Sequence, residues 1–213
     1  MDRVFEIGKN FRNEGVSTRH NPEFTMLEFY AAYQDYTHGM AVTRNLLNHV
    51  SMMMKDFNVK TINPIEVELI DLVNAFLHKR MRENPIYATG YKGQSLVFWG
   101  IDSESLNQNL NNLGLGELAG NSSDETIMNI YEKYIEPTIE CAFVTGFPKS
   151  ISPLAKARRN NPQIAERFEL IVNGIEIANG YSELNDPLEQ LKAFEAQDAP
   201  NGLVREIDSD YVE

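Results

Sequence analysis

The chain has 213 residues, 42% hydrophobic, 10% aromatic and 23% charged, a balance that excludes a disordered polyelectrolyte and provides for a globular core. Lys and Arg number 19 against 31 Asp and Glu, a formal charge of -12, so nonspecific attraction to a polyanion is weak across most of the surface and any nucleic-acid contact must be local. The single cysteine, Cys141, excludes an intrachain disulfide and a thiolate zinc cluster, and reads as a small buried apolar residue of a reducing compartment.

Residues Arg3 to Phe11 alternate loosely and break at Asn13-Glu14-Gly15, and Phe24 to Tyr33 form a second aromatic-rich run, which together predict two antiparallel strands. The polar connection Arg12 to Glu23 is long for a hairpin, the kind of loop that carries function. The opening Met1-Asp2-Arg3-Val4-Phe5-Glu6 lacks the basic start and apolar run of a signal peptide, and its abrupt passage into strand-like sequence is the opening expected of a piece of a longer chain.

From Thr37 to Phe57 apolar residues recur at helical spacing, with Thr37 as the expected cap. A second helix is predicted from Pro64, as its first residue, to about Met81. Its apolar stretch Leu69 to Leu77 is interrupted by Asp71 and Asn74 and falls far short of the ~20 residues of a membrane span, so no membrane segment is expected.

Residues 84–122 are rich in Gly and Asn and read as an insertion or small helical subdomain, with Val97-Phe98-Trp99 as a candidate strand. Asp124 to Thr138 reads helical, Ala142 to Thr145 is a compact apolar run, and the turn Gly146-Phe147-Pro148 leads into the polar segment Lys149 to Pro162. Strands at Glu166 to Val172 and Ile175 to Glu183 flank Asn173-Gly174, the strongest hairpin signal in the chain. Asp186-Pro187 begins a helix to about Gln197, and the acidic tail after Ala199 shows no further element. The expected fold is α+β, an antiparallel sheet flanked by helices, in one domain or most of one.

Strand periodicity places Phe24, Met26, Glu28 and Tyr30 on one face. A glutamate among aromatic residues must be paired, protonated or turned to a ligand cavity, and an amine-bearing substrate would satisfy it. Glu169, Glu176 and Glu183 lie within the late hairpin, where two carboxylates suit Mg²⁺ on a nucleotide and the third an organic ammonium. Gly180 marks a bulge or a close backbone approach. Arg12, Arg19 and His20 offer a grip for phosphate. The competing reading gives these glutamates and loop cations to solvent and Phe24 and Tyr30 to packing. His38, His49 and His78 read as structural, and Met52-Met53-Met54 as core filler.

Phe11-Arg12-Asn13-Glu14-Gly15 followed by Arg19-His20-Asn21-Pro22-Glu23-Phe24-Thr25-Met26-Leu27-Glu28-Phe29-Tyr30 resembles motif 2 of class II lysyl-tRNA synthetases. The runs Phe143 to Pro148, Ser152 to Ala155, Arg167 to Glu169 and Gly174 to Pro187 resemble the same family.

The resemblance implies a class II synthetase-like catalytic core, incomplete. Its motif 2 would lie at 3–33 and its late active-site hairpin at 166–185, with a poorly matched insertion at about 84–122. No stretch resembles motif 1, motif 3 or the anticodon-binding barrel. The implied enzyme activates lysine with ATP, forming lysyl-adenylate, and transfers the lysyl group to tRNA(Lys); this piece alone is expected to be inactive.

By the same resemblance Arg12 would hold the α-phosphate and the lysine carboxylate as the catalytic residue. Glu14, His20, Asn21 and Phe24 would complete the ATP site. Glu28, Tyr30, Asn179, Tyr181 and Glu183 would bind lysine, and Glu169 and Glu176 would carry Mg²⁺. The two β-ribbons are then expected to enclose a common cavity. A cytoplasmic homodimer is the implied setting of the intact enzyme. The alternatives are a tRNA-independent lysine ligase that modifies a translation factor, and a noncatalytic module that binds lysine and ATP.

Overall fold

In a computed structural model of the protein, residues 2–13, 15–16, 21–57, 62–83 and 100–196 are described. The chain divides into two compact units, Met1–Gln34 and Asp35–Glu213.

The first unit is a two-stranded antiparallel ribbon, β1 (Arg3–Phe11) and β2 (Glu23–Ala31), both predicted from the sequence. Its register runs from Arg3 opposite Ala31 to Phe11 opposite Glu23 without a slip. The ladder extends by one bond at each end, Arg12 N–H to the Pro22 carbonyl (2.9 Å) and Ala32 N–H to the Asp2 carbonyl (2.8 Å).

The second unit opens with α1 (Tyr36–Met53), close to its expected span. The cap is Asp35 rather than Thr37: Asp35 Oδ1 accepts from the Thr37 and His38 amides at 3.0 and 3.3 Å. The Thr37 hydroxyl donates to the same oxygen at 2.6 Å, so the expected cap secures the real one.

The helix predicted from Pro64 begins later. Ile65–Glu68 is a strand, β3, and α2 covers Leu69–Glu83. Ile-Glu-Val-Glu alternates with period two and carries β-branched residues, and pairing with a buried neighbour strand decides its state. The Pro64 carbonyl accepts from Arg44 of α1 at 2.8 Å, which ties the entry of β3 to that helix.

Within the region read as an insertion, α3 (Ser103–Asn112) is capped by Asp102. Val97-Phe98-Trp99 lies outside the described residues, as does the tail after Ala199. Next, α4 (Ser123–Ile130) starts on a Ser122 cap, and the predicted helical run to Thr138 continues as a π-turn over Tyr131–Ile135 and a 3₁₀ turn over Glu136–Thr138. Pro137 lacks the N–H that a continuing α-helix would need.

β4 (Cys141–Thr145), β7 (Arg167–Val172) and β8 (Ile175–Tyr181) join β3 in a four-stranded sheet of order β3-β4-β7-β8. The expected antiparallel pairing holds for β4-β7-β8, and β3 adds to the edge parallel to β4. The polar segment after Pro148 contributes a small antiparallel pair, β5 (Ala157–Arg158) and β6 (Asn161–Ala165). A last helix, α5 (Pro187–Glu195), is capped by Asp186 as the sequence predicts.

Alternation along β4 and β7 supplies two cores. Ala142, Val144 and Ile171 join Leu69, Val73 and Leu77 of α2 and the buried side chains of α3 and α4. Phe143, Phe168 and Leu170 face the other way, against Met40 of α1. Cys141 is only half-buried, because it opens β4 before the strand is covered on both faces.

Candidate functional site

On the ribbon, register places Phe24, Met26, Glu28 and Tyr30 opposite Asn10, Gly8, Glu6 and Val4, all on one face, as strand alternation predicts. Arg12, just past β1, stacks its guanidinium on the Phe24 ring at 5.6 Å, so two of the residues assigned to a nucleotide site meet here. Asn21 is exposed two residues before β2, Glu28 is half-buried, and Tyr30 is exposed. Glu14, Arg19 and His20 lie outside the described residues. The sequence reading passed over Glu6, which stands directly across the ribbon from Glu28. Two like charges in that position repel, which makes this face receptive to a cation.

The second set of residues lies on the β7-β8 hairpin. Asn173 and Gly174 both take positive φ, 51° and 69°, the geometry of the tight hairpin turn that this dipeptide favours. Pairing then puts Glu169 opposite Asn179 and Arg167 opposite Tyr181. A register shift between Leu170 and Ile171 brings Glu176 opposite Ile171. Glu169, Glu176, Asn179 and Tyr181 therefore share one face, whereas Glu183 lies beyond the end of β8 and bridges to Ala155.

The bulge falls at this shift, not at Gly180. A Cβ on Gly180 would lie 2.6 Å from the Phe168 ring, so the glycine is there for close approach to a core aromatic.

Arg167 is the hub of this face. Its Nη2 donates to Glu169 Oε1 at 2.5 Å, its Nη1 to Ser152 Oγ at 3.1 Å and its Nε to Asn179 Oδ1 at 3.3 Å. The guanidinium also lies 4.7 Å from the Phe147 ring centre. Sequence reasoning missed Arg167, although its place two residues before Glu169 in a strand is the signal that the two side chains share a face.

Glu169 is 7% exposed. Burial pushes its carboxyl up to about 7 against the opposing pull of Arg167, and Glu176, Glu136 and Glu132 add to the upward push. Beside it Tyr131 is 1% exposed, and its hydroxyl has no hydrogen-bond partner among the described residues. Burial, then the Glu169 charge, push that phenol well above its usual range. Glu176 and Glu183 are both exposed, and what burial Glu183 has pushes its carboxyl up.

Among the described residues no group of three or more His, Cys, Asp or Glu is arranged to hold a metal by itself. Glu169 and Glu176 fit a hard divalent ion that takes one or two carboxylates and fills its octahedron with phosphate oxygens and water. The buried Tyr131 hydroxyl, left without a partner beside them, is a polar atom that such a hydrated ion would satisfy.

Next to this hairpin, Gly146 turns the chain out of β4 with φ +78°, and a Cβ there would sit 2.0 Å from Glu68 Oε2. Glu68 accepts from Arg158 Nη1 at 2.9 Å and from the Thr145 hydroxyl at 3.1 Å. It lines a cleft of about 590 Å³ between α1, β3 and α2, to which none of the described residues assigned to the nucleotide, lysine or metal sites contributes.

The family model described as tRNA synthetases class II (D, K and N) matches residues 1–213. A lysine–tRNA ligase of Acinetobacter baumannii (strain AYE) is 39% identical over 223 residues, covering 100% of this chain and 42% of the relative. One from Carboxydothermus hydrogenoformans is 38% identical over 219 residues, 100% of this chain and 43% of the relative. A third, from a Psychrobacter species, is 39% identical over 227 residues, 100% of this chain and 42% of its own length. The chain thus spans less than half the length of these curated relatives. A model match along its whole length makes the chain a member of the class II tRNA synthetase family (D, K and N).

Proposed function

We propose that the chain is the catalytic part of a lysine–tRNA ligase, with motif 2 at 3–33 and the late hairpin at 166–185. The intact enzyme to which it belongs activates lysine with ATP and passes the lysyl group to tRNA(Lys), and this piece alone is inactive. The observation that carries this reading is the shared face of Glu169, Glu176, Asn179 and Tyr181, built around Arg167, in a chain of this family.

Arg12 neutralises charge on the α-phosphate as the lysine carboxylate attacks in line and pyrophosphate leaves. Phe24, already stacked on Arg12, supplies an apolar ring for adenine, and Glu14, His20 and Asn21 complete the nucleotide contacts. Glu28, Tyr30, Tyr181 and Glu183 read the cationic side chain of lysine, and Asn179 its carboxylate. Glu169 and Glu176 hold Mg²⁺, which when bound screens the triphosphate. No protein nucleophile takes part: the residues bind, orient and stabilise charge. The intact protein acts as a homodimer in the cytoplasm. Among the described residues no helix is long and apolar enough to cross a membrane.

Lysine-dependent exchange of pyrophosphate into ATP, measured on the longest natural product of the reading frame that contains this chain, tests the assignment. Exchange that requires lysine and ignores aspartate and asparagine is expected, and exchange with either of those instead overturns it. In the active protein Arg12→Ala should lower the exchange rate by about two orders of magnitude or more, the scale for losing a charge-stabilising group.

A further inference from the structure

Resting on that reading of the hairpin, we infer that Arg167 is a positioning residue of the amino-acid site: it turns the Asn179 amide so that its NH₂ group is the one offered to a carboxylate.

An arginine side chain carries five N–H donors and no acceptor, so the atom of Asn179 that meets Nε can only be the oxygen. With Oδ1 taken at 3.3 Å, the amide presents Nδ2, a donor, as its other end. An asparagine without such a partner rotates between two nearly equivalent orientations, one of which points oxygen at an incoming carboxylate and repels it.

The guanidinium is well suited to impose the choice because it is itself immobilised. Its side chain is 18% exposed, and Glu169 Oε1, Ser152 Oγ and the Phe147 ring hold it on separate sides. Asn179 is exposed, so its free end meets solvent or ligand rather than the core. A lysine in place of Arg167 keeps the charge beside Glu169 but is a single point donor without the rigid fork that reaches three acceptors together.

The competing role is purely structural, with Arg167 only neutralising a buried carboxylate. A double-mutant cycle separates the two. Free lysine is titrated calorimetrically, without nucleotide or metal, into the natural full-length product carrying Arg167→Lys, Asn179→Ala or both.

If Arg167 acts through Asn179, each single change weakens lysine binding about tenfold, the scale for a hydrogen bond to a charged group, and the double variant binds no more weakly than Asn179→Ala alone. Losses that multiply in the double variant, or wild-type lysine affinity in Arg167→Lys, overturn the inference. Wild-type protein that binds no lysine overturns the parent assignment, and the inference with it.

Should Arg167→Lys fail to fold, Ser152→Ala loosens the guanidinium and leaves the Glu169 pair in place. A loss of about threefold that vanishes in the Asn179→Ala background is then expected, and a loss that persists there overturns the inference.

Discussion

Glu169 is a carboxyl that the fold keeps half-willing to ionise. Its value of about 7 stands above the ~4.3 of an unfolded glutamate, so the folded chain binds this proton more tightly than the unfolded one. The stability it contributes is complete below the unfolded value, declines as pH rises toward 7 and is gone above that. Thermal unfolding of wild type and Glu169→Gln between pH 5 and 8 isolates the effect: the wild type should lose stability relative to the variant across that window. Parallel profiles would show that Arg167 cancels the burial. Asp35 behaves in the opposite sense, since the Thr37 hydroxyl and the amides it caps hold its carboxyl below the usual range, so its contribution is present above the unfolded carboxyl value and is lost as pH falls below it. At Gly180 there is no room for a methyl group, and Gly180→Ala should cost about 1–3 kcal/mol by overpacking against Phe168, read as a lowered denaturation midpoint.

Among elements, α1 packs against the β7-β8 hairpin that carries the candidate residues. Removing the α1 cap with Asp35→Ala should cost about 1 kcal/mol in chemical denaturation with little change in the transition's steepness. Met40 is the buried α1 contact with Phe143, Phe168 and Leu170, and Met40→Ala should cost about 2–5 kcal/mol. The hairpin turn is docked as well as formed. The Gly174 N–H donates to the Ile139 carbonyl and the Asn173 N–H to the Glu140 carbonyl, and a Cβ on Gly174 would meet the Pro137 backbone at 2.7 Å. The dipeptide Asn173-Gly174 was legible in the sequence as a turn. The π-turn and the Pro137 segment against which it packs were not, because that contact joins stretches some thirty-five residues apart. The helix expected from Pro64 fails for a related reason: Ile65–Glu68 is short, and pairing with β4 outweighs a weak local preference.

For the molecule as a whole, the two units differ in how they bury apolar surface. The ribbon exposes Phe5, Ile7 and Phe11 at 74%, 66% and 73%, whereas Phe143, Val144, Leu170 and Ile171 of β4 and β7 are at 0%. A two-stranded ribbon has little stability of its own, so amide hydrogen exchange of this chain should be at least about tenfold faster in β1 and β2 than in β4 and β7; equal protection would show that the ribbon is covered in solution.

The amino-acid sequence by itself determined the α+β class, both ribbons, the identity of the face carrying Phe24, Glu28 and Tyr30, and the family, since these rest on period-two alternation, a turn dipeptide and contiguous motifs. Only the tertiary structure decided that β3 is a strand, that Gly180 makes way for Phe168, and that Arg167 links Glu169, Ser152 and Asn179. Each of those depends on which distant segments share a surface, and burial and hydrogen-bond geometry between them have no signature in local spacing.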